Sequence, residues 1–382
     1  MTMRFKASKP LSIGVELELQ LLDASTLDAV DGIMPLMEFY PHSPYVKPEF
    51  IQNTVEIASK VCSDLSELEA HIRSLTSNIW SRCKALGMTL CGGGSHPFSK
   101  RLAEITPTRR YLKLEKTAGY LGHIQLTFAQ HVHLGMPSGE EAVTVLGELK
   151  PYLPLLLAMS ANSPFWHGYD TGYVSYRHRI LAATRSYGVP PSFAGWQDFI
   201  RFFEVSRRAG IFDTIKDIHW DIRPHPNWGT LEVRVMDMQS TISDAVALAG
   251  FVRALVLFLQ RTRGASRPVH LAKPLPWWME RENHFQASRL GLAATYVMDE
   301  HGAVTQLADL FDRVMEAIAP VADELGQGTY LERLTKSMGR NPPYGRQREI
   351  YRETKSLQQV AASLVDALEQ DALVGQAPAC VG

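Results

Sequence analysis

The stretch LSIGVELELQLL, residues 11–22, alternates apolar and polar side chains over most of its length. Every odd position from 13 to 21 is apolar, whereas the even positions carry Gly14, Glu16, Glu18 and Gln20. Successive side chains of a β-strand point to opposite faces of the sheet. The pattern therefore predicts a strand with one buried apolar face and one face that presents two carboxylates.

Other segments repeat this two-faced pattern. The polar face of residues 51–57 carries Glu56, and that of 230–237 carries Glu232 and Arg234. A third such strand, within 122–136, presents His131 and His133 opposite its apolar positions. If these strands share one sheet, the carboxylates and imidazoles converge on one surface. The complete set of candidate strands is 11–22, 51–57, 88–91, 122–136 and 230–237.

Helical periodicity and capping residues predict that helices separate and follow these strands. The sequence therefore predicts an α+β fold, in which a largely antiparallel sheet carries helices on its outer face. We expect a single catalytic domain over residues 1–382, strand-rich over 11–240 and helical over 243–372, with a frayed tail after Leu373. The candidate helices are 64–87, 107–120, 139–161, 195–208, 243–262, 281–291, 303–325 and 345–371.

The composition limits the classes of partner. The 382 residues include 39 Lys and Arg against 40 Asp and Glu, so a net charge of −1 gives no general attraction to nucleic acid or anionic membrane. The most apolar stretches, 153–161 and 245–259, fall short of the ~20 residues of a membrane span and are predicted to be buried helices. We expect small-molecule substrates, no nucleic-acid or membrane partner, and a homodimer.

The N-terminus and the cysteines bear on the compartment. The sequence MTMRFKASKP lacks the apolar segment of a secretory signal. The four cysteines, Cys62, Cys83, Cys91 and Cys380, are scattered and form no C-x-x-C pair, so a zinc ribbon or thioredoxin-type site is unsupported. Few, unpaired cysteines are typical of a reducing compartment, and we expect a cytoplasmic protein.

Converging carboxylates need cations, because like charges in a partly buried site repel strongly. A set rich in carboxylates, with His but no Cys, favours Mg²⁺ or Mn²⁺ over zinc, and magnesium keeps positions open for water and phosphates. The pattern thus indicates metal-assisted phosphoryl chemistry. Each motif alone has an ordinary explanation, since E-x-E is usually a solvated face and E-x-R a cross-strand charge pair. Their coincidence on strands with apolar back faces favours the functional interpretation.

At these same residues the sequence resembles the bacterial carboxylate–amine ligase family related to glutamate–cysteine ligase type 2. The resemblance implies a glutamine synthetase-like fold, whose antiparallel sheet forms a funnel-shaped site. It also implies an ATP-dependent reaction, in which a carboxylate is phosphorylated and an amine then displaces phosphate to give an amide. The matching segments are GVELELQL (14–21), NTVEIASKVC (53–62), GGGSHPF (92–98), QHVHLGMP (130–137), DIHWDIRPHPNWGTLEVRVMD (217–237) and NHFQASRLGL (283–292).

The resemblance also implies roles for single residues. Arg234 matches the Arg that neutralises charge on the transferred phosphoryl group, and His133 lies nearer the phosphate or substrate. We expect Lys216, Arg223 and Arg289 to bind the ATP cofactor. Glutamate and cysteine are the substrates that the family suggests. The predicted ligands of Mg²⁺ (or Mn²⁺) are Glu16, Glu18, Glu49, Glu56, His131 and Glu232.

Some assignments stay open at this level. Arg177, Arg179 and Arg185 are candidates for a substrate carboxylate by charge alone. The glycines of segment 92–98 lack the Lys-Ser/Thr of a P-loop and predict either an anion-binding loop or a tight turn. The alternative functions are an ATP-dependent phosphotransferase acting on a guanidino-type nitrogen, a two-metal hydrolase, and a non-catalytic metabolite-binding protein. Dependence of product formation on nucleotide separates them.

Overall fold

In a computed structural model of the protein, residues 3–264, 271–339 and 341–373 are described. The predicted tail beyond Leu373, with Cys380, lies outside these ranges. Strands dominate the first two thirds of the described chain. They are β1 (Ile13–Asp23), β2 (Val46–Pro48), β3 (Thr54–Ala58), β4 (Met88–Cys91), β5 (Ala129–Gly135), β6 (Phe165–Trp166), β7 (Tyr169–Asp170), β8 (Tyr187–Gly188), β9 (His219–Trp220), β10 (Ile222–His225), β11 (Thr230–Asp237), β12 (Thr295–Val297) and β13 (Val304–Gln306).

Helices connect the strands and make up most of the last third. Short 3₁₀ turns add Lys150–Tyr152, Ile215–Asp217 and Gly291–Ala293. The helices are α1 (Ile33–Met37), α2 (Leu65–Ala85), α3 (Arg109–Ala118), α4 (Tyr120–His123), α5 (Gly139–Leu149), α6 (Leu153–Ser160), α7 (Tyr176–Leu181), α8 (Trp196–Arg208), α9 (Ile242–Arg261), α10 (Trp277–Leu290), α11 (Leu307–Glu324), α12 (Gly328–Met338), α13 (Pro343–Thr354) and α14 (Leu357–Ala372).

One seven-stranded sheet carries all five predicted strands. Its order is β10-β11-β5-β1-β3-β2, and β4 pairs with the C-terminal half of β1. Each of these pairings is antiparallel. The prediction of an α+β fold with a largely antiparallel sheet is therefore confirmed.

The apolar face of β1 forms the centre of the core. Leu17, Leu19 and Leu21 are fully buried, as the alternation predicts. Burial of each such side chain stabilises the fold by roughly 1.5–3 kcal/mol. Two apolar helical stretches, Gly139–Ser160 and Ile242–Arg261, are long enough to cross a membrane by length and composition, yet 83% and 89% of their most apolar windows are buried inside the protein. The prediction of buried core helices is confirmed.

The predicted strand 122–136 is too long at its start. Tyr120–His123 is helical, and β5 begins only at Ala129. Between them the chain is extended, but it bonds to the glycine-rich loop: Phe128 N–H donates to Gly94 C=O and His96 N–H to Leu126 C=O. Residues 126–128 therefore pair with the glycine-rich loop and not with a strand of the main sheet.

Several predicted helices have different limits for identifiable reasons. The helix 139–161 divides into α5 and α6 at the 3₁₀ turn that contains Pro151, because proline lacks the N–H that continues a helix. The helix 345–371 divides at Lys355, whose φ of 54° ends α13 in the left-handed conformation. The start of 303–325 is strand β13, and α12 has no counterpart among the predicted helices.

Candidate functional site

The register of the sheet brings the predicted polar faces together. Glu16 on β1 lies opposite His131 on β5, and Glu232 on β11 lies opposite His133. On the other side of β1, Glu18 pairs with Glu56 of β3. The predicted convergence of carboxylates and imidazoles on one face is thus confirmed. We call the cavity above this face the funnel.

Three groups lie closest together at the centre of the funnel floor. His131 Nδ1 lies 3.3 Å from Glu16 Oε2 and 3.9 Å from Glu232 Oε1. One donor atom from each of the three residues fits within 4.8 Å of the others, and all three residues are buried. In the described chain this is the only such group of three or more His, Cys, Asp or Glu side chains. Two carboxylates and one imidazole suit a divalent cation.

Burial shapes the charge of these ligands. Burial and the charge of Arg234 lower the pKa of His131 to about 4, so its imidazole is neutral near pH 7. Burial raises the pKa of Glu16, but the neighbouring imidazoles of His131 and His133 outweigh it and hold that pKa well below its usual value. A neutral imidazole beside an ionised carboxylate is the protonation state in which both can bind a metal.

Glu232 is held by two arginines. Arg223 forms a bidentate pair with it, with Nε 2.8 Å from Oε2 and Nη2 3.2 Å from Oε1. Arg234 Nη1 also donates to Oε1. Although burial opposes ionisation, the charges of these arginines keep the pKa of Glu232 well below its usual value. Fork-shaped pairing of this kind fixes both the charge and the orientation of the carboxylate.

A second acidic group lies along the β1–β3 side of the funnel. Burial and the nearby charge of Glu49 raise the pKa of Glu18 to about 8. Burial and the charges of Glu16 and Glu49 raise the pKa of Glu56 well above its usual value. In the part of the chain that the structure describes, no Lys or Arg lies within 4.0 Å of a carboxylate oxygen of Glu18 or Glu49. These two carboxylates are the least compensated in the funnel.

His133 borders both the centre of the funnel floor and the aromatic rings of His225 and Trp228. Its Nε2 lies 3.6 Å from Glu16 Oε2, is buried, and makes no hydrogen bond, whereas Nδ1 bonds with Thr230 Oγ1 at 3.1 Å. Its ring centroid lies 5.1 Å from that of Trp228, which stacks on His225. A buried nitrogen without a hydrogen-bond partner, aimed at carboxylates, fits a site that receives a ligand or ion.

The funnel has a volume of about 1080 Å³, large enough for a nucleotide together with a small substrate. All six predicted metal ligands line it, with Arg234. Its wall is also basic, because α3, α7, the loop after α7 and the 3₁₀ turn Ile215–Asp217 supply cations. These basic residues are Arg109, Arg110, Lys113, Arg177, Arg185 and Lys216.

The predicted nucleotide contacts lie in different places. Lys216 lines the funnel, with Nζ 6.0 Å from the centroid of the Trp228 ring. Arg223 also borders it, yet each of its three nitrogens already donates, to Glu232 and to the carbonyls of Ile215 and Ile218. Arg223 is therefore placed to orient Glu232. Arg289 lies on the exposed end of α10 and does not line the funnel, so its position gives no support to the prediction that it binds nucleotide.

The three arginines predicted as candidates for a substrate carboxylate also lie in different places. Arg177 and Arg185 line the funnel, whereas Arg179 packs over the ring of Phe285 at 5.3 Å. Arg177 is 3% exposed and donates to the backbone carbonyls of Arg234 and Val235. Its guanidinium therefore supports the β11 backbone.

The glycine-rich segment 92–98 forms a packed turn. Gly93 has a φ of 99°, which favours glycine, and a Cβ on Gly94 would lie 2.6 Å from Asp237 Cγ. Gly92, Gly93 and Gly94 do not line the funnel. The N–H groups of Gly93 and Gly94 donate to the carbonyls of Gln239 and Asn162, so the segment is a packed bend and these two amides are not free to bind an anion.

Two functional candidates escaped prediction from sequence. Lys47 on the edge strand β2 lies opposite Glu56, and its Nζ is 3.0 Å from Glu56 Oε1 and 3.7 Å from Glu16 Oε1. The strand β2 has only three residues, too few for an alternating pattern, although its lysine lies two residues before Glu49. Asp221 lies fully buried beside two histidines. The sequence DIRPH (221–225) contains polar residues, but nothing in it indicates that Asp221 is buried.

Comparison with known proteins gives one consistent family. The model of glutamate–cysteine ligase family 2 (GCS2) matches residues 12–350. A protein of Trichormus variabilis named "Putative glutamate–cysteine ligase 2" is 47% identical over 367 residues, which cover 96% of this chain and 95% of that protein. A protein of the same name from Bdellovibrio bacteriovorus is 34% identical over 370 residues, covering 96% and 97%.

Solved structures agree on the fold. The glutamate–cysteine ligase of Francisella tularensis, in complex with AMP, superposes with a TM-score of 0.68 at 13% identity, over 98% of this chain and 91% of that one. A bifunctional glutathione synthetase from Pasteurella multocida gives a TM-score of 0.70 at 13% identity, over 95% of this chain and 53% of the longer one. At this identity the likeness concerns the fold alone.

Proposed function

This chain belongs to glutamate–cysteine ligase family 2 and is a ligase, and we propose that it joins the γ-carboxylate of L-glutamate to the amino group of L-cysteine with cleavage of ATP. The observation that carries the proposal is the full-length match to relatives of that name, at up to 47% identity. The funnel supports the proposal, because carboxylate side chains and the guanidinium of Arg234 lie together on its floor. ATP and two amino acids are the small-molecule substrates.

The proposed reaction has two steps. An oxygen of the glutamate γ-carboxylate attacks the γ-phosphorus of ATP, the bond to the β–γ bridging oxygen breaks, and ADP leaves. The cysteine amine then attacks the acyl carbon, loses a proton, and displaces inorganic phosphate as the amide forms. Phosphorylation is needed because a carboxylate is a poor electrophile and lacks a leaving group. An enclosed funnel protects the acyl phosphate from water.

The floor of the funnel fits Mg²⁺ or Mn²⁺. Glu16, His131 and Glu232 would hold one ion, since their donor atoms converge within 4.8 Å. Glu18, Glu49 and Glu56 are the further proposed ligands, because they line the same funnel and because burial and neighbouring carboxylates raise the pKa of Glu18 and of Glu56. When bound, such ions screen the negative charge of the phosphates. The chain contributes the oxygen-rich ligand set that hard cations prefer.

Arg234 is the proposed catalytic cation. Its guanidinium lies beside Glu232 and 3.4 Å from His131 Nδ1, at the centre of the floor. Burial opposes its charge, but Glu232 and the neighbouring carboxylates outweigh that effect and raise its pKa, so Arg234 stays charged and can stabilise negative charge that develops on a transferred phosphoryl group. His133 borders the same point, which supports its proposed contact with phosphate or substrate.

The basic wall of the funnel is the proposed binding region for the nucleotide phosphates. Lys216 reaches into the funnel over Trp228, and Arg110 Nη2 donates to the carbonyl of Lys216. We also propose a single catalytic domain in the cytoplasm. The three cysteines in the described ranges are buried, and burial raises the pKa of the Cys62 thiol to about 11, so they suit a reducing compartment. A homodimer remains our proposed assembly.

The product identifies the reaction. Purified protein is incubated with ATP, Mg²⁺ and pairs from an amino-acid panel, and products are measured by mass. We expect γ-glutamylcysteine with wild type and none with Glu16→Gln. A phosphorylated nitrogen product would instead indicate a phosphotransferase, product without nucleotide a hydrolase, and no product with any pair would contradict ligation.

A further inference from the structure

The backbone of Arg234 is held from both sides. A β-bulge interrupts the pairing of β11 with β5 between Val233 and Met236, so Arg234 lies where the regular ladder is lost. Instead, its N–H donates to Asp221 C=O at 2.7 Å, and its C=O accepts from Arg177 Nη2 at 3.3 Å. The backbone of the proposed catalytic arginine is therefore held by Asp221, which continues the β10–β11 pairing by one residue, and by Arg177.

The carboxylate of Asp221 is enclosed by two histidines. Asp221 Oδ2 lies 3.5 Å from His178 Nε2 and 3.4 Å from His284 Nε2, and the three residues are at most 3% exposed. Burial raises the pKa of Asp221, but the charge of His178 and the hydrogen bonds of both histidines lower it below its usual range. Asp221 is therefore an ionised carboxylate that is buried away from solvent.

The contacts of His284 fix its ring orientation. Its Nδ1 lies 2.8 Å from the carbonyl of Glu280, which only accepts, so Nδ1 carries a proton. Its Nε2 therefore faces Asp221 Oδ2, at 3.4 Å, and the Nε2 of His178 approaches the same oxygen at 3.5 Å. The three side chains form one buried unit.

A metal ion is a poor explanation for this unit. In the described chain only the funnel group brings three such donor atoms within 4.8 Å of one another. Asp221 Oδ2 instead lies between the two imidazoles, as a shared acceptor does. The unit also joins separate elements, because His178 belongs to α7, His284 to α10, and Asp221 lies between β9 and β10.

These contacts close a ring around Arg234. The backbone C=O of Asp221 accepts from the Arg234 N–H, and the Asp221 carboxylate contacts His178. Arg177, which precedes His178 in the chain, donates to the Arg234 C=O. The helix α7 has only six residues and no side-chain N-cap, so its position depends on such tertiary contacts. Loss of the Asp221 charge would loosen α7, and with it the contact of Arg177 with the Arg234 C=O.

We propose that Asp221, His178 and His284 are positioning residues that fix the Arg234 guanidinium at the floor of the funnel. The inference rests on the proposed function, since it assigns a task to the unit through the catalytic arginine. It predicts that the unit acts on turnover more than on substrate binding, because a displacement of about 1 Å in a catalytic group can lower the rate by roughly 10²-fold.

A double-mutant cycle tests this role. Asp221→Asn preserves shape but removes the charge, and we expect kcat for γ-glutamylcysteine formation to fall roughly 10- to 100-fold with KM for ATP within about twofold. In an Arg234→Lys background the same change should lower kcat less than about threefold, because the interaction that it serves is already lost. An equal loss in both backgrounds, or no loss in the wild-type background, would overturn the proposal.

A control and a structural readout separate positioning from general destabilisation. Asp244→Asn removes a buried charge that pairs with Arg333 at the start of α9, and it should lower the melting temperature without lowering kcat. A crystal structure of Asp221→Asn should show the Arg234 guanidinium displaced from Glu232, and an unmoved guanidinium would refute the proposal independently of activity. If wild type forms no product, the proposed function fails, while the crystal structures still decide the positioning role.

Discussion

The ammonium of Lys47 lies 3.0 Å from Glu56 Oε1, directly across the β2–β3 pair at the edge of the funnel. The same Nζ is 3.7 Å from Glu16 Oε1 and 5.5 Å from the centroid of the Trp228 ring. Lys47 thus places a fixed positive charge between two of the proposed metal ligands. It competes electrostatically with any divalent cation that approaches them.

Replacement of this charge should strengthen metal binding. Two unit charges about 4 Å apart interact by ~1 kcal/mol in water and ~4 kcal/mol near a protein surface, so we expect Lys47→Met to raise Mn²⁺ affinity roughly tenfold. Titration calorimetry without nucleotide measures this. Lys216→Met is the matched control, because Lys216 approaches the same Trp228 ring but pairs with no ligand carboxylate. Unchanged affinity in Lys47→Met would show that Lys47 does not oppose the metal.

Arg234→Lys should impair turnover selectively. Lysine keeps the charge but loses the planar fork, and the interaction with the phosphoryl group should strengthen as negative charge develops. We predict a loss of about 10²–10³ in kcat, as for other losses of transition-state donors, with a modest change in nucleotide affinity. Steady-state kinetics and binding of a non-hydrolysable ATP analogue measure the two effects. Turnover within a few-fold of wild type would remove Arg234 from the catalytic residues.

The raised pKa of Glu18 predicts how metal affinity depends on pH. Because that pKa is about 8 in the metal-free protein, Glu18 is largely protonated at pH 7, and an incoming cation must displace the proton. Mn²⁺ affinity should therefore rise from pH 6 to pH 8 and level off above. Calorimetry in buffers of different ionisation enthalpy should detect proton release at pH 7. A flat profile with no proton release would contradict the assignment.

The same group has a consequence for stability. In the unfolded chain Glu18 titrates near 4.5, whereas in the folded, metal-free protein it holds its proton up to about 8. The folded state therefore binds more protons between these values, and the contribution of Glu18 to stability falls as pH rises through that window. Chemical denaturation with and without Mn²⁺ measures this. We expect Glu18→Gln to remove this part of the pH dependence, and an unchanged profile would contradict it.

The packed turn at Gly94 gives a prediction outside the funnel. A methyl group there would meet the buried carboxyl of Asp237, which accepts hydrogen bonds from Asn162 N–H and from the hydroxyls of Ser163 and Ser175. Overpacking of this kind typically costs about 1–3 kcal/mol. Gly94→Ala should lower the free energy of unfolding, measured by chemical denaturation, by that amount. Gly147→Ala, at a helical glycine with no neighbour within 4 Å of the added carbon, should not.

The site was readable from sequence where the chain forms long alternating strands. Glu16, Glu18 and Glu232 belong to strands of eight residues or more, so the side-chain period of two determines their common face. Arg223 was predicted to bind nucleotide, whereas its charge is used within the protein, on Glu232 and two carbonyls, which no local pattern indicates. Lys47 lies on a three-residue edge strand, whose pairing depends on the whole sheet.

Other features arise only from tertiary contacts. The His178–Asp221–His284 unit joins residues that are up to 106 positions apart, and no local pattern connects them. Extended residues around Leu126 bond to the glycine-rich loop, although their alternation resembles that of the neighbouring strand. Alternation thus predicts backbone conformation and side-chain face, but not which segment completes the hydrogen bonds.

The fate of one oxygen atom tests the central claim most directly. Wild-type protein is incubated with ATP, Mg²⁺, L-cysteine and L-glutamate labelled with ¹⁸O in the γ-carboxylate, and the released phosphate is analysed by mass spectrometry. If the γ-carboxylate is phosphorylated before the amine attacks, one ¹⁸O passes from glutamate to each phosphate formed with γ-glutamylcysteine. Phosphate without the label would contradict an acyl-phosphate ligase.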